Sequence, residues 1–354
     1  MGGNGPVLVA WESTKACRFV CRHCRAEAQF NPDSNQLTTL EAKRFIDDIA
    51  STAKPTLIIT GGDPLLRDDI YEVSRHADRK GLKVVMALNG NIDSKTASTL
   101  ASSGVRMVSL SIDGSTPKIH DEFRGVEGAF DMALRSTESM RAQGLPFRIL
   151  TTVTNHNLRD LGNIYSLVDD LGAESWDIFM LVPTGRASHD MEISPAEYEV
   201  VLKFVHGLSH RSEIPVKVTC APHYNRLLLQ SVGGAAQTPI SRGCMAGNGF
   251  CFVSHVGEVY GCGYLPIPAG NIRKKSFSEI YSSSPLFVQL RDRRLLKGKC
   301  RLCSFREVCG GCRARAYSTY GDAFAEEPYC TYQPERQRGS VKTLPDQPDQ
   351  VGSL

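Results

Sequence analysis

The segment STKACRFVCRHCRAEA, residues 13–28, sets Cys17, Cys21 and Cys24 in a C-x3-C-x2-C array directly after the apolar run VLVAW at 7–11. Three thiolates so spaced, on a loop after a strand, can hold three irons of a [4Fe–4S] cluster. A fourth nearby cysteine would close a conventional electron-transfer site, but the next cysteine is Cys220. The fourth iron is then an open binding position, the logic that separates catalytic from structural zinc sites. Zinc is the competing occupant of a cysteine-rich loop. The spacing and the missing fourth ligand both count against it.

Outward from this loop, TLIIT (56–60), LKVVMAL (82–88), RMVSLSI (106–112), FRILTTV (147–153) and SWDIFMLV (175–182) follow VLVAW as further apolar runs. They are rich in β-branched and aromatic residues and bounded by turn formers, so they read as buried strands. Between them Ala42, Phe45, Ile46 and Ile49 fall at i, i+3, i+4 and i+7, as do Leu161, Ile164, Tyr165 and Val168, the spacing of amphipathic helices. Strands alternating with helices imply an α/β fold with a parallel sheet. Six units fall short of a closed eight-unit barrel. The expected fold is a partial (β/α)6 TIM-type barrel, with its active side at the C-terminal ends of the strands.

The chain has 354 residues, with 41 Lys+Arg against 38 Asp+Glu. This near balance lacks the basic field of a nucleic-acid binder. No apolar run approaches the roughly 18 residues of a membrane span, and the start lacks the features of a signal peptide. The expectation is a soluble, cytoplasmic protein without nucleic-acid or membrane partners. In a reducing cytoplasm, twelve cysteines are not structural disulfides and need another purpose. Residues 1–190 are expected to form the barrel, 191–240 a bridging region, 241–334 a cysteine-rich module held by metal, and 335–354 a disordered polar tail. The bridge reads as a helix over 195–208, a strand over 216–219, a helix over 224–230 and a loop over 231–239.

The cysteine loop is the signature of the radical S-adenosylmethionine (SAM) superfamily, and the chain resembles that superfamily well beyond it. The resemblance implies a [4Fe–4S] cluster on Cys17, Cys21 and Cys24 and a SAM site drawn from strand ends. His23 would pack on the adenine. Gly61, Gly62 and Asp63 would receive the methionine amino group. Asn89, Ser111, Asp113 and Val182 complete the set. The C-terminal cysteines resemble the SPASM module, which carries two auxiliary clusters. Carried over, Cys244, Cys251, Cys262 and Cys312 ligate an inner cluster, and Cys300, Cys303, Cys309 and Cys330 an outer one. Cys309-x2-Cys312 is one residue shorter than the usual module spacing, so the local geometry departs from the pattern. Structural zinc ribbons and a single auxiliary cluster are the competing readings. Cys220 reads either as a small buried residue or as one facing the cavity.

Segments such as SIDGSTPKIHDEFRGVEGAF (111–130), TCAPHYNR (219–226) and RGCMAGNGFCFVSHVGEVYGCGYLP (242–266) resemble the heme b synthases of the siroheme-dependent heme pathway. That likeness implies oxidative decarboxylation of two propionates of Fe-coproporphyrin III to vinyl groups. It also implies an electron donor such as flavodoxin or ferredoxin, and an auxiliary cluster as an exit for the electron released. Such a substrate calls for apolar walls and for arginines that grip propionates bidentately. The candidates are Arg124, Arg148, Arg186, Arg226, Arg313 and Arg315, with Cys220, His223, Tyr224 and Tyr264 beside them. For each arginine the competing reading is a surface or ion-paired side chain, and Arg124 has a second possible role on the SAM carboxylate. Other heme or heme-d1 pathway enzymes, a peptide maturase and a non-catalytic carrier are the alternatives. The sixteen residues before Cys17 count against a maturase with an N-terminal peptide-recognition domain, and the open cysteine site has little use in a carrier.

Overall fold

The six apolar runs become β1 (Leu8–Glu12), β2 (Thr56–Thr60), β3 (Lys83–Leu88), β4 (Val105–Ser111), β5 (Phe147–Val153) and β6 (Trp176–Met180), each pairing in parallel with the next. The structure is a computed structural model that describes residues 5–231 and 243–334. The loop expected over 231–239, apart from Ser231, and the tail expected over 335–354 lie outside the described residues.

Strand alternation sorts the side chains into two layers. One face carries Val9, Trp11, Leu57, Ile59, Val84, Met86, Val108, Leu110, Ile149 and Ile178, all buried in one continuous core. Helices cover this face, among them α1 (Thr39–Thr52), α2 (Ile70–Arg79), α3 (Ser94–Ser102), α4 (Pro117–Arg124), α5 (Ala129–Ala142) and α6 (Leu161–Asp170). In α1 the buried residues are Ala42, Phe45, Ile46 and Ile49, and Thr38 and Glu41 close a capping box at its start. The opposite, inner face carries Glu12, Thr60, Ala87, Ser111, Leu150, Thr152 and Phe179 in register. It is more polar and lines the barrel interior.

Four strands lie beyond the six βα units, the first of them the strand expected over 216–219. After α7 (Pro195–Ser209), β7 (Val216–Thr219) pairs in parallel with β6. After α8 (Tyr224–Ser231), β8 (Phe250–Val253) pairs in parallel with β1, and β9 (Glu258–Cys262) and β10 (Leu265–Asn271) continue antiparallel. Among the described residues the sheet therefore has ten strands, in the order β10-β9-β8-β1-β2-β3-β4-β5-β6-β7. An open β1 edge would leave a row of unpaired backbone groups beside the cysteine loop, and β8 satisfies them. Its register with β1 carries Phe252 and Tyr260 onto the inner face. Short helices complete the chain: α9 (Phe277–Ser283), α10 (Pro285–Arg291), α11 (Gly298–Leu302) and α12 (Arg313–Tyr320).

Candidate active site

Backbone hydrogen bonds lock the cysteine loop onto the end of β2. Gly62 N donates to Thr14 O at 2.8 Å, Asp63 N to Ala16 O at 2.7 Å, and Cys17 N to Gln29 O at 2.8 Å. The approach is so close that a Cβ on Gly62 would lie 2.2 Å from Ala16 O. Glycine is required here for space. Asn89, at the end of β3, points its amide at Cys17 Sγ (3.5 Å) and Gly62 O (3.4 Å).

Cys17, Cys21 and Cys24 line one cavity with Gly61, Gly62, Asn89, Ser111, Val182 and His23. These belong to the expected SAM set. His23 stacks on Phe123 at 4.2 Å with the rings nearly parallel. Burial, with the Arg124 charge nearby, holds its imidazole well below the usual range, hence neutral. Two acidic members of that set are directed elsewhere. Asp63 turns its carboxylate to the Leu65 N–H at 3.0 Å, and burial raises its pKa to about 6. Asp113 is fully buried behind the cavity, where it accepts from Thr152 N at 2.7 Å and ion-pairs with Arg124 at 2.6 Å. It therefore positions Arg124, whose Nη1 reaches Cys21 Sγ at 3.7 Å and which lines the cavity itself.

The cavity fits an iron–sulfur cluster with an open position. Its lining holds three thiols and no fourth cysteine. Burial pushes the Cys17 thiol up to about 11 and raises that of Cys21, so these sulfurs become thiolates when a cationic centre binds them. Among the described residues no three His, Cys, Asp or Glu side chains form a site for a single metal ion.

A second cavity of about 440 Å³ adjoins the first and shares Arg25, Ala26 and Tyr264 with it. Its walls include Phe252, Tyr260 and Tyr317, and Lys15, Glu12 and His255 lie around it. Arg25 lies over the Phe252 ring at 4.4 Å and ion-pairs with Glu12 at 2.6 Å. His255 bridges Glu12 (2.7 Å) and Asp33 (3.1 Å). Of these, sequence reasoning reached only Tyr264. The alternation in FCFV (250–253) and EVYGC (258–262) carried the signal for Phe252 and Tyr260. Nothing local marked Glu12 or His255, which meet across 243 residues of chain.

The remaining arginine candidates stay away from both cavities. Arg148 is tied to Asp177 (2.8 Å) and Ser109 (2.7 Å). Arg313 donates to the carbonyls of Ala323 and Ala325, and Arg315 to those of Met180, Leu181 and Cys220. Both are fully buried struts, because α12 packs where backbone carbonyls need donors. Arg226 pairs with Glu199. Arg186 sits behind the cysteine loop; its N–H donates to Cys24 O at 3.1 Å, while Nε and Nη2 find no partner among the described residues. Tyr224 packs against the core.

His223 departs most from its expected substrate contact. It is fully buried, stacks on Tyr198 at 4.8 Å, and lines a small cavity with Cys300, Cys303, Cys309 and Cys330. Both its ring nitrogens lack partners among the described residues. Four thiols around orphaned buried nitrogens fit the outer auxiliary cluster. Backbone N–H groups of Gly311 and Glu327 already aim at Cys309 Sγ (3.4 Å) and Cys300 Sγ (3.3 Å). The inner set is different. Cys244, Cys262 and Cys312 are near neighbours, but Cys251 lies on the other face of β8, inside the apolar core. One residue of strand separates the two faces, and strand parity turns Cys251 away from the other three thiols of the set carried over from the SPASM module.

A parallel sheet carrying an open three-cysteine loop, a glycine pair at the end of its second strand and a rear set of thiols defines a radical SAM enzyme with a C-terminal iron–sulfur module. Residues 11–168 match the Radical SAM superfamily, and residues 244–312 match SPASM, an iron-sulfur cluster-binding domain. The AdoMet-dependent heme synthase of Methanosarcina barkeri is 45% identical over 341 residues, 94% of this chain and 98% of that protein. A protein of the same name from Nitratidesulfovibrio vulgaris is 45% identical, covering 93% of each. The crystal structure of Streptococcus suis SuiB bound to S-adenosylmethionine shares the fold at a TM-score of 0.75, with 17% identity over 93% of this chain and 78% of that one. The chain belongs to the family of the AdoMet-dependent heme synthases, radical SAM enzymes of the heme pathway. Its cofactors are a [4Fe–4S] cluster and SAM, with auxiliary iron–sulfur clusters in the module. Among the described residues no helix is long and apolar enough to cross a membrane.

Proposed function

We propose that the chain converts Fe-coproporphyrin III into heme b by oxidative decarboxylation of two propionates, in the cytoplasm, with electrons from a flavodoxin or ferredoxin. The adjoining cavities, with Tyr264 and Arg25 between them, carry this reading. The first has the thiols and strand-end groups that suit SAM. The second has aromatic walls and cationic side chains that suit a flat apolar disc edged with carboxylates, and its volume lies within the range of small-molecule sites, about 300–1,000 Å³.

When bound, the cluster and SAM supply a 5′-deoxyadenosyl radical that takes a hydrogen atom from a propionate β-carbon. The substrate radical would then lose CO2 and pass one electron to an auxiliary iron–sulfur cluster, which leaves a vinyl group. The chain's own residues position and shield. Gly61 and Gly62 present backbone carbonyls to the SAM amino group, with Asn89 holding the turn against Cys17. The exposed face of the His23–Phe123 stack meets the adenine. Arg124, fixed by Asp113, lines the cavity and offers its guanidinium charge to the SAM carboxylate. Lys15 and Arg25 take propionates that do not react, and Phe252, Tyr260 and Tyr317 exclude water from the ring.

The test is anaerobic reconstitution followed by SAM, a reductant and Fe-coproporphyrin III. The expected products are 5′-deoxyadenosine, CO2 and a divinyl heme. SAM cleavage that leaves the porphyrin unchanged overturns the substrate assignment.

A further inference from the structure

Cys220 precedes the SPASM match at 244–312 and belongs to neither cysteine array. Its backbone is the first sign of a role. Its φ is +62°, in the left-handed region that a residue with a Cβ enters at a cost. The surroundings over-determine that conformation. Arg315 Nη1 and the Tyr198 hydroxyl both donate to Cys220 O, each at 2.9 Å. Arg315 stands on α12 just beyond Cys312, which caps that helix. The two bonds therefore hold Cys220 against the start of α12.

The thiols complete the picture. The Arg315 bond to Cys220 O sets Cys220 beside Cys312, and Cys262 lies within electrostatic reach of both. Cys244 lies within reach of Cys262 and Cys312, its N–H anchored on Cys309 O at 2.9 Å. Cys251 cannot join this group. It pairs with Val9 in register and shares the buried face of Val9 and Val253. The charged group nearest in influence is Arg291, and Tyr281 packs nearby. Cys262 has the opposite parity, sharing the inner face with Tyr260 and Phe252. A single cluster cannot take one ligand from each side of a hydrogen-bonded sheet at this point.

We propose that Cys220, Cys244, Cys262 and Cys312 are the four ligands of the inner auxiliary cluster, and that Cys251 is a core residue. The segment after β7 thereby becomes part of the metal site. The cluster ties the last parallel strand of the barrel to β9 and to the start of α12, joining parts of the chain up to 92 residues apart (from 220 to 312). The proposal concerns the ligand set alone and is independent of the porphyrin assignment.

The experiment compares iron, sulfide and the EPR spectrum of the dithionite-reduced protein in the reconstituted full chain and three variants. Cys220→Gly keeps the left-handed backbone free of strain and removes only the thiol. Cys312→Ala is the reference for loss of the inner cluster. Cys251→Ala tests the excluded residue, with the near-isosteric Cys251→Ser repeating the test should the alanine variant not fold. The expected result is an equal loss in Cys220→Gly and Cys312→Ala, about a third of the iron if all three sites fill as cubanes, with the same component weakened or converted to a three-iron signal. Cys251→Ala or Cys251→Ser should keep the wild-type iron content and spectrum. An unchanged spectrum and iron content in Cys220→Gly overturns the proposal, as does selective loss of the inner-cluster component from a folded Cys251 variant.

Discussion

The front and rear of the molecule hold thiols in opposite ways. At the front, Cys17, Cys21 and Cys24 lie on one short loop, held by backbone bonds from Gly62 and Asp63 and closed by its own Cys17–Gln29 bond, and face a single cavity. At the rear, the thiols come from separated segments and from both faces of a hairpin that extends the same sheet. Spacing along the chain predicts geometry where the loop is contiguous. It fails where strand parity intervenes, because a shift of one residue reverses the direction of a side chain.

The largest expected effect tests whether the two regions are separable. Cys17→Ala should reduce SAM cleavage to the protein-free background while the rear sites keep their iron, about two thirds of the total if every site fills as a cubane. Iron analysis and 5′-deoxyadenosine assay read this directly, and loss of all iron would show that the regions assemble as one. Next is Asp113→Ala, which leaves the Arg124 charge buried and unpaired. Removing one partner of a buried pair costs about 3–5 kcal/mol, so urea unfolding of the apo chain should show a loss of that order. A change within error would mean that Arg124 finds another partner.

Gly62→Ala sharpens the contrast from the other side. Its Cβ would strike Ala16 O and push the cysteine loop outward. A displacement of about 1 Å costs roughly 100-fold in rate. We expect kcat/KM for SAM cleavage to fall by that order while the rear clusters keep their EPR signals. An unaffected rate would show that the loop yields without consequence.

Most of the fold, and the front half of the site, was legible in the sequence. The six apolar runs became β1–β6, and the helical spacing of Ala42, Phe45, Ile46 and Ile49 matched the buried stripe of α1. Strand periodicity and helix amphipathicity are local, so a linear reading captures them. What escaped it is long-range. β8 joins the free edge of β1, and Glu12 meets His255 across the chain. The arginines illustrate the same limit. Arg313 and Arg315 were candidate propionate grips, but Arg315 satisfies carbonyls at the ends of β6 and β7, and Arg313 those of Ala323 and Ala325 in the loop after α12. A charge pattern shows that an arginine is present. Only packing shows what it binds.

The smallest effect concerns the seam between the two regions, at Glu12, His255 and Asp33. Burial draws the His255 pKa down, but the Glu12 and Asp33 carboxylates outweigh it and hold it above the ordinary value of 6.5. A raised folded-state pKa gives stability that is complete below about pH 6.5 and lost as the pH rises through the folded value. His255→Gln should therefore destabilise the chain more at about pH 6 than at about pH 9, as read from urea midpoints. A difference independent of pH would show that the contact is hydrogen bonding alone.

The central claim, that a radical formed at the front acts on a propionate in the adjoining cavity, is tested most directly by isotope transfer. Fe-coproporphyrin III deuterated at the propionate β-carbons would be turned over anaerobically with SAM, and the 5′-deoxyadenosine analysed by mass spectrometry. The account predicts one deuterium in each 5′-deoxyadenosine formed during conversion, with one CO2 released for each. Unlabelled 5′-deoxyadenosine accompanying vinyl formation would contradict it.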